Sequence, residues 1–395
     1  MRILFLSQLL PLPLDAGAKI RSYYVLKYLA EAGHEITLVC FVRPEDRDEH
    51  IQTLREVCRS IHTVPLVRSR FNDLKHGLGS LVTAIPFLIA RDRIPEMTQS
   101  LKKISDSRSF DALHADQLWM ASYGLEHEGP SMRVLDQHNA VFKIPLQLEA
   151  YRRNPLIRFF LNREASRLSA YERSACKKFD RVVWVTEEDR NAVIPHENGN
   201  VRKHSVIPIG ADPVSQTPLI RPRPFRVTFL GGMHWPPNAE GIAWFAEKIW
   251  PGVSEAVPDA ILTLIGKGAP AKILRSDVRA RIHITGYLSD IRQYLQETAA
   301  FIVPLRTGAG MRVKILDAWC WGLPVISTSV GAEGIKTVHN ENLLIADDES
   351  SFAECLLQVL RDSSLANRLS ENGRSTVESQ YDWRKIYPAW DQIYH

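Results

Sequence analysis

Apolar positions along the chain fall into two alternating kinds of run. Short, β-branched and aromatic runs occur at 2–7, 35–42, 62–67, 111–115, 133–138, 181–186 and 205–210. A second series follows at 226–232, 260–266, 281–286, 300–305, 324–329 and 342–347. Between them lie longer stretches at helical spacing, among them 18–33, 239–256, 289–298, 313–321 and 351–374. Continuous apolar strands alternating with amphipathic helices predict parallel sheets with crossover helices, an α/β protein of two Rossmann-like halves. The two series are separated by "GADPVSQTPLIRPRPFR" (210–226), which has four prolines and no period and reads as a linker. The expected division is a first domain at 1–210, a linker at 211–225 and a second domain at 226–380. The aromatic-rich end, 381–395, is too apolar for a free tail and is expected to pack, with the first domain as its partner.

A chain of 395 residues exceeds one ordinary core, in line with two domains. Its 45% hydrophobic and 24% charged residues are globular proportions. A formal charge of only +4 argues against nucleic acid as the partner of the whole chain. The five cysteines are scattered without a C-x-x-C pair, which fits a reducing cytoplasm and argues against a disulfide framework or a zinc site. At the N-terminus, prolines at 11 and 13 interrupt the apolar run and no small-residue cleavage site follows, so a first strand is expected rather than a signal peptide. The other long apolar stretch, 77–90, is too short to span a bilayer and contains a proline. The acidic pair Asp46 and Asp48 lies in a run of charges and reads as solvated surface, so no metal is expected there.

In parallel α/β folds, ligands bind beyond the C-terminal ends of strands, so chemistry is sought in the loops there. "GAGMRVKILDAWCWGLPV" (308–325) follows such a strand and opens a helix that Gly322 and Pro324 close. Glycines permit close backbone approach, and the helix start offers unpaired N–H groups. Arg312 and Lys314 add two positive charges where the helix dipole opposes them, an arrangement that becomes favourable around a phosphate or diphosphate. Asp317 lies on the same helix among apolar neighbours. Its carboxylate suits a ribose diol; a salt bridge to Lys314 is the other reading of the same residues.

Residues 306–335, "RTGAGMRVKILDAWCWGLPVISTSVGAEGI", resemble the nucleotide-sugar loop of retaining GT-B glycosyltransferases of family 4. The likeness continues through "VTFLGGMHWPPNAEGIAWFAEKIWP", "LTLIGKG" and "ITGYLSDIRQYL", and through the start of the chain, in the family's order. It implies a GT-B fold, a nucleotide-sugar as substrate, and no metal or other cofactor. Residue by residue, it implies that Gly17 lies near the donor diphosphate, that Tyr287 and Leu288 border the base, and that Gly308, Ala309 and Gly310 approach the sugar and phosphates. Arg312 and Lys314 would neutralise the diphosphate and Asp317 would hold the ribose. His138, in "VLDQHNAV", matches a histidine that faces the donor sugar, where it would donate to a hydroxyl or adjust leaving-group charge. His114 and Asp116, ending the preceding strand, are candidates for the acceptor side. Two positions depart from the family: Gly232 stands in place of an arginine, and Ala309 in place of a glutamate that touches the donor sugar.

Such an enzyme would pass a sugar to a glycan or lipid-linked acceptor in envelope polysaccharide or glycoconjugate synthesis. Residues 143–181 carry ten bases and four acids, with Ile157, Phe160, Leu161, Leu168, Tyr171, Ala175 and Phe179 at helical spacing. With 77–90 they form either a basic, apolar surface for an anionic membrane or an ordinary core-facing helix. The expected location is the cytoplasm, with peripheral contact to the inner membrane face. A sugar-nucleotide epimerase of the same fold and a non-catalytic nucleotide-sugar or glycan binder are the alternatives.

Overall fold

Each of the thirteen short apolar runs forms a strand. A computed structural model describes residues 1–67, 80, 85–150, 152, 154–195, 203–218, 225–271, 273, 281–288, 290–308 and 310–395. They form two units, Met1–Gly210 with Ile386–His395, and Ala211–Lys385.

In the first unit, β1 (Arg2–Ser7), β2 (Glu35–Val42), β3 (Ser60–Pro65), β4 (Ala112–Asp116), β5 (Met132–Gln137), β6 (Arg181–Trp184) and β7 (His204–Val206) lie in the order β3-β2-β1-β4-β5-β6-β7. In the second, β8 (Arg226–Leu230), β9 (Ile261–Ile265), β10 (Ile282–Gly286), β11 (Thr298–Val303), β12 (Val325–Ser327) and β13 (Leu344–Ile345) lie in the order β10-β9-β8-β11-β12-β13. Every neighbouring pair is parallel. The order reverses between β1 and β4, and again between β8 and β11, and such switch points open a crevice at the strands' C-terminal ends.

Both faces of each sheet are covered, which is why the strands are apolar throughout. In the first unit Leu4, Leu6, Leu113 and Leu135 share a core with Leu168, Ala175 and Phe179. In the second, Val227, Phe229 and Leu264 pack with Phe245, Trp250 and Phe352.

Two expected helices are broken in ways the side chains explain. The stretch 351–374 is two helices, Glu349–Arg361 and Ser363–Gln380. The Asp362 carboxylate between them accepts from the backbone N–H groups of Ser364 (2.9 Å) and Leu365 (3.1 Å), capping the second. The stretch 239–256 contains Pro236–Trp244 and Trp250–Ala256, joined by a wider π-helical turn at Phe245–Ile249. Pro251 has no N–H to continue the α-helical ladder across this junction.

Residues 219–224 of the expected linker lie outside the described residues. Ala211, at its start, donates to the Tyr381 carbonyl (2.7 Å) and accepts from the Trp383 N–H (3.1 Å). The chain's last segment divides at Ile386, later than the expected boundary at 381. Within the first unit, Tyr387 Oη accepts from the Gly210 N–H (3.1 Å), Tyr28 Oη donates to Asp391 (3.0 Å), and Trp390 and Tyr394 are buried. No helix among the described residues is long and apolar enough to cross a membrane.

Candidate active site

In the first unit, the switch point is filled with charge. Asp116 and Ser7 end β4 and β1 and face each other in register. One Asp116 oxygen accepts from Ser7 Oγ (2.9 Å) and Ser22 Oγ (2.7 Å). The other lies 2.8 Å from His138 Nε2. Asp136 precedes His138 by two residues, so both side chains leave the same face of the strand. The Asp136 carboxylate is gripped by Arg21, through Nε (2.9 Å) and Nη2 (2.8 Å), and lies 3.6 Å from His138 Nε2. Arg21 comes from the helix Gly17–Glu31 and also donates to the carbonyls of Ile207 (2.7 Å) and Pro208 (3.0 Å).

Arg21, Asp116 and Asp136 are fully buried and His138 nearly so. Burial by itself would lower the His138 pKa, but Asp116 and then Asp136 raise it to about 9. Burial would likewise raise Asp136, yet Arg21 and His138 hold it well below the usual carboxylate range. The ring is therefore an imidazolium at neutral pH, with Nε2 spent on Asp116 and Nδ1 without a partner among the described residues. That is the form that donates a proton or stabilises developing negative charge.

His114 and Asp116, expected on the acceptor side, are both fully buried and serve inside this network instead. His114 stacks on Phe5 with centroids 4.1 Å apart, and its Nδ1 is hydrogen-bonded to Tyr394 Oη at 2.6 Å. Burial brings its pKa down to about 4, so it is neutral. His114, Asp116 and Asp136 each offer a ligand atom, all within 4.8 Å of one another, a spacing that suits a cation. Arg21 and His138 already supply positive charge among them.

In the second unit, the switch point joins the loop after β8 to the helix Val313–Cys320, which follows β11. Lys314 reaches from that helix to the loop after β8, where its Nζ donates to Asn238 Oδ1 (2.9 Å) and lies 4.5 Å from the centre of the Phe229 ring. Gly231, at φ 154°, makes this possible, since a Cβ there would sit 2.9 Å from Lys314 Nζ. The ammonium thus stands beside Gly231, one residue before Gly232, where the family resemblance leads one to expect an arginine. Burial, then Arg312, lowers the Lys314 pKa to about 7.

Arg312 is turned differently. Its guanidinium packs against Gly308, whose φ of 131° and missing Cβ give it room. From there it reaches the Val330 carbonyl (3.4 Å) and Glu333 (3.9 Å). The Asp317 carboxylate, half-buried on the Val313–Cys320 helix, has no hydrogen bond or close ion pair with any described residue, so the Lys314 salt bridge foreseen as one alternative is not formed. Burial raises its pKa to about 7, with Lys314 opposing the shift. An acid left open beside a cation at a helix start is a site shaped for a ligand with hydroxyl and anionic groups.

Of the remaining candidates, Gly17 opens its helix after an uncapped Ala16, leaving first-turn N–H groups available. Tyr287 and Leu288 follow β10, with Lys267 5.0 Å above the exposed Tyr287 ring. Gly310, at φ 80°, lies buried just before the Val313–Cys320 helix. Ala309 lies outside the described residues. Arg21, Asp136 and Asn238 were not among the sequence candidates. Asp136 was accessible to such reasoning through its two-residue spacing from His138, whereas Asn238 carries no local signal.

The whole chain superposes on Anabaena HepE, solved in complex with UDP and glucose, with a TM-score of 0.71 at 15% identity, over 100% of this chain and 99% of that one. Two parallel-sheet α/β units on this plan define the GT-B class. Residues 16–214 match Glycosyltransferase Family 4 and residues 224–362 match Glycosyl transferases group 1; the chain belongs to Glycosyltransferase Family 4 and is a glycosyltransferase. It is 23% identical, over 98% of both chains, to a Klebsiella pneumoniae protein described as an uncharacterized 44.6 kDa protein in the cps region. It is 25% identical to the Escherichia coli UDP-Gal:alpha-D-GlcNAc-diphosphoundecaprenol alpha-1,3-galactosyltransferase, over 53% of this chain and 58% of that enzyme.

Proposed function

We propose that this enzyme transfers a glycosyl group, with retention, from a nucleotide-sugar to a glycan or lipid-linked acceptor in envelope polysaccharide or glycoconjugate synthesis. The observation that carries the donor reading is Lys314 in the first turn and Asp317 three residues later on one helix, its carboxylate without a hydrogen bond among the described residues. Lys314, with Arg312 as a further charge, binds the diphosphate and Asp317 accepts from the ribose hydroxyls; the His138 imidazolium is the catalytic group of the first unit. The E. coli relative's name includes a UDP-sugar donor and a diphosphoundecaprenol acceptor, and the Klebsiella relative lies in a cps region, both in keeping with this reading.

Transfer breaks the bond between the anomeric carbon and the diphosphate oxygen, and charge develops on the leaving group. Positive charge fixed there in advance is the main catalytic contribution the protein makes. Asp116 and Asp136 are enclosed by their cationic partners and hydroxyls, so neither is placed to act as a nucleophile. A thermal-shift panel of UDP- and GDP-sugars tests the donor reading. A true donor at about a hundred times its dissociation constant stabilises by about 2.7 kcal/mol. No rise in melting temperature with any member of the panel would contradict it.

The proposal includes peripheral binding to anionic membrane through the start of the helix Pro155–Lys178. The helix divides along its length. Leu168, Ala175 and Cys176 face the core, whereas Leu156, Ile157, Phe159 and Phe160 are 68%, 45%, 63% and 49% exposed. Several bases of this region are engaged internally: Lys143 with Asp189 (3.1 Å), Arg158 with Glu149, and Arg173 with the Val193 carbonyl (3.0 Å). The apolar tip therefore carries more of the proposed binding than the charge count suggested. Within the stretch 77–90, also expected at this surface, residues 77–79 and 81–84 lie outside the described residues. Changing Leu156, Phe159 and Phe160 together to serine should weaken binding to phosphatidylglycerol vesicles about tenfold or more, given the area each side chain would bury. Flotation with unchanged vesicle binding would remove the membrane part of the proposal.

A further inference from the structure

Asn238 has two bonds that meet at Lys314. It lies in the first turn of the helix Pro236–Trp244 and is almost fully buried. Its Nδ2 donates to the Gly232 carbonyl (2.9 Å), which fixes the amide against the loop after β8. Its Oδ1 then accepts from Lys314 Nζ (2.9 Å). On its other sides the ammonium meets the Phe229 ring and the bare Cα of Gly231. The remaining two N–H groups of Lys314 have no acceptor among the described residues.

We infer that Asn238 is a positioning residue that fixes the Lys314 ammonium at the Gly231–Gly232 turn and leaves its charge unspent for an anionic ligand. This rests on the reading of Lys314 as the diphosphate's cation. An amide oxygen directs an ammonium without neutralising it, whereas a carboxylate in the same place would form an ion pair and compete with the diphosphate. The arrangement also explains how the loop functions with glycine where an arginine is expected: the charge is delivered from the neighbouring helix and located by a neutral side chain.

The test follows the affinity of UDP and of GDP across about pH 6 to pH 9 by calorimetry, using whichever binds wild type more tightly. Burial and then Arg312 bring Lys314 down to about 7, with Asp317 opposing, so a lysine that regains its proton beside a diphosphate makes wild-type affinity fall as pH rises above that value; Asp317, also near 7, is followed in parallel with Asp317→Asn. Asn238→Asp should move this fall upward by about one pH unit, because a carboxylate favours the charged lysine, and weaken binding at low pH about tenfold. Asn238→Ala should also weaken binding at low pH about tenfold, by releasing the ammonium. A residue with a merely structural role would lower the melting temperature of both variants without moving the pH dependence in Asn238→Asp. An unmoved pH dependence in a folded Asn238→Asp overturns the inference. Lys314→Ala separates the two levels. Should it retain wild-type affinity and pH dependence, the donor reading itself fails; should it lose both while the Asn238 variants match wild type, only the positioning role fails.

Discussion

Arg21→Leu is expected to lower unfolding free energy by roughly 3–5 kcal/mol. Arg21 and Asp136 are both fully buried, and the guanidinium makes its main bonds to that one carboxylate. Removing it strands a buried negative charge beside His138 (3.6 Å) and the neutral His114 (3.8 Å), and leaves the Ile207 and Pro208 carbonyls without their donor. Denaturant unfolding at neutral pH checks the loss. A double change, Arg21→Leu with Asp136→Leu, should recover much of it, because two apolar side chains leave no charge unpaired. The pH dependence has a definite sign. Asp136 is depressed in the folded protein, so its stabilising contribution is present above the ordinary carboxylate value and lost as pH falls towards the folded one. In Arg21→Leu that dependence should shrink or reverse. An Arg21→Leu protein as stable as wild type would mean that the pair is not what holds this site.

Asp116→Asn is expected to reduce turnover about a hundredfold while leaving donor affinity within about twofold, the pattern of an interaction acting in the transition state. Asp116 is the nearer of the two carboxylates that keep His138 charged, and the substitution keeps the acceptor oxygen but removes the charge. His138 should then titrate closer to its ordinary 6.5 than to about 9. Turnover that needs the imidazolium would fall at a lower pH than in wild type, visible as a shifted alkaline limb when nucleoside diphosphate release is followed across pH. The linked stability changes in the same direction. A raised histidine stabilises fully below its ordinary value and loses that contribution progressively up to the folded value, so wild type should weaken between about pH 6.5 and about pH 9 and the variant should weaken less over that range. A limb that stays in place would show that His138 does not act through its charge.

The strands were readable because parallel strands covered on both faces must be apolar throughout, and each stands out as a short unbroken run. Helix limits were less so. The Asp362 cap and the missing N–H of Pro251 are local signals, yet each lay inside a stretch whose apolar spacing continued across it. At the site, Lys314, Asp317 and His138 were legible as polar groups placed just beyond strands. The direction of each side chain was not. His114 and Asp116 also end a strand, and with both faces of the sheet covered nothing in the sequence tells which group meets solvent. Arg21 and Asn238 find their partners 115 and 76 residues away, separations over which residue spacing carries no information.

The most direct test of the account is a comparison of uridine, UMP and UDP binding, or the guanosine series if that base is preferred, to wild type, Lys314→Ala and Asp317→Asn. Lys314→Ala should weaken the diphosphate about 10- to 100-fold and leave the nucleoside nearly unchanged. Asp317→Asn should weaken all three by one common factor of about ten, since its partner is the ribose that they share. If Lys314→Ala weakens nucleoside and diphosphate equally, or Asp317→Asn spares the nucleoside, the helix start at Val313 does not hold the donor as described.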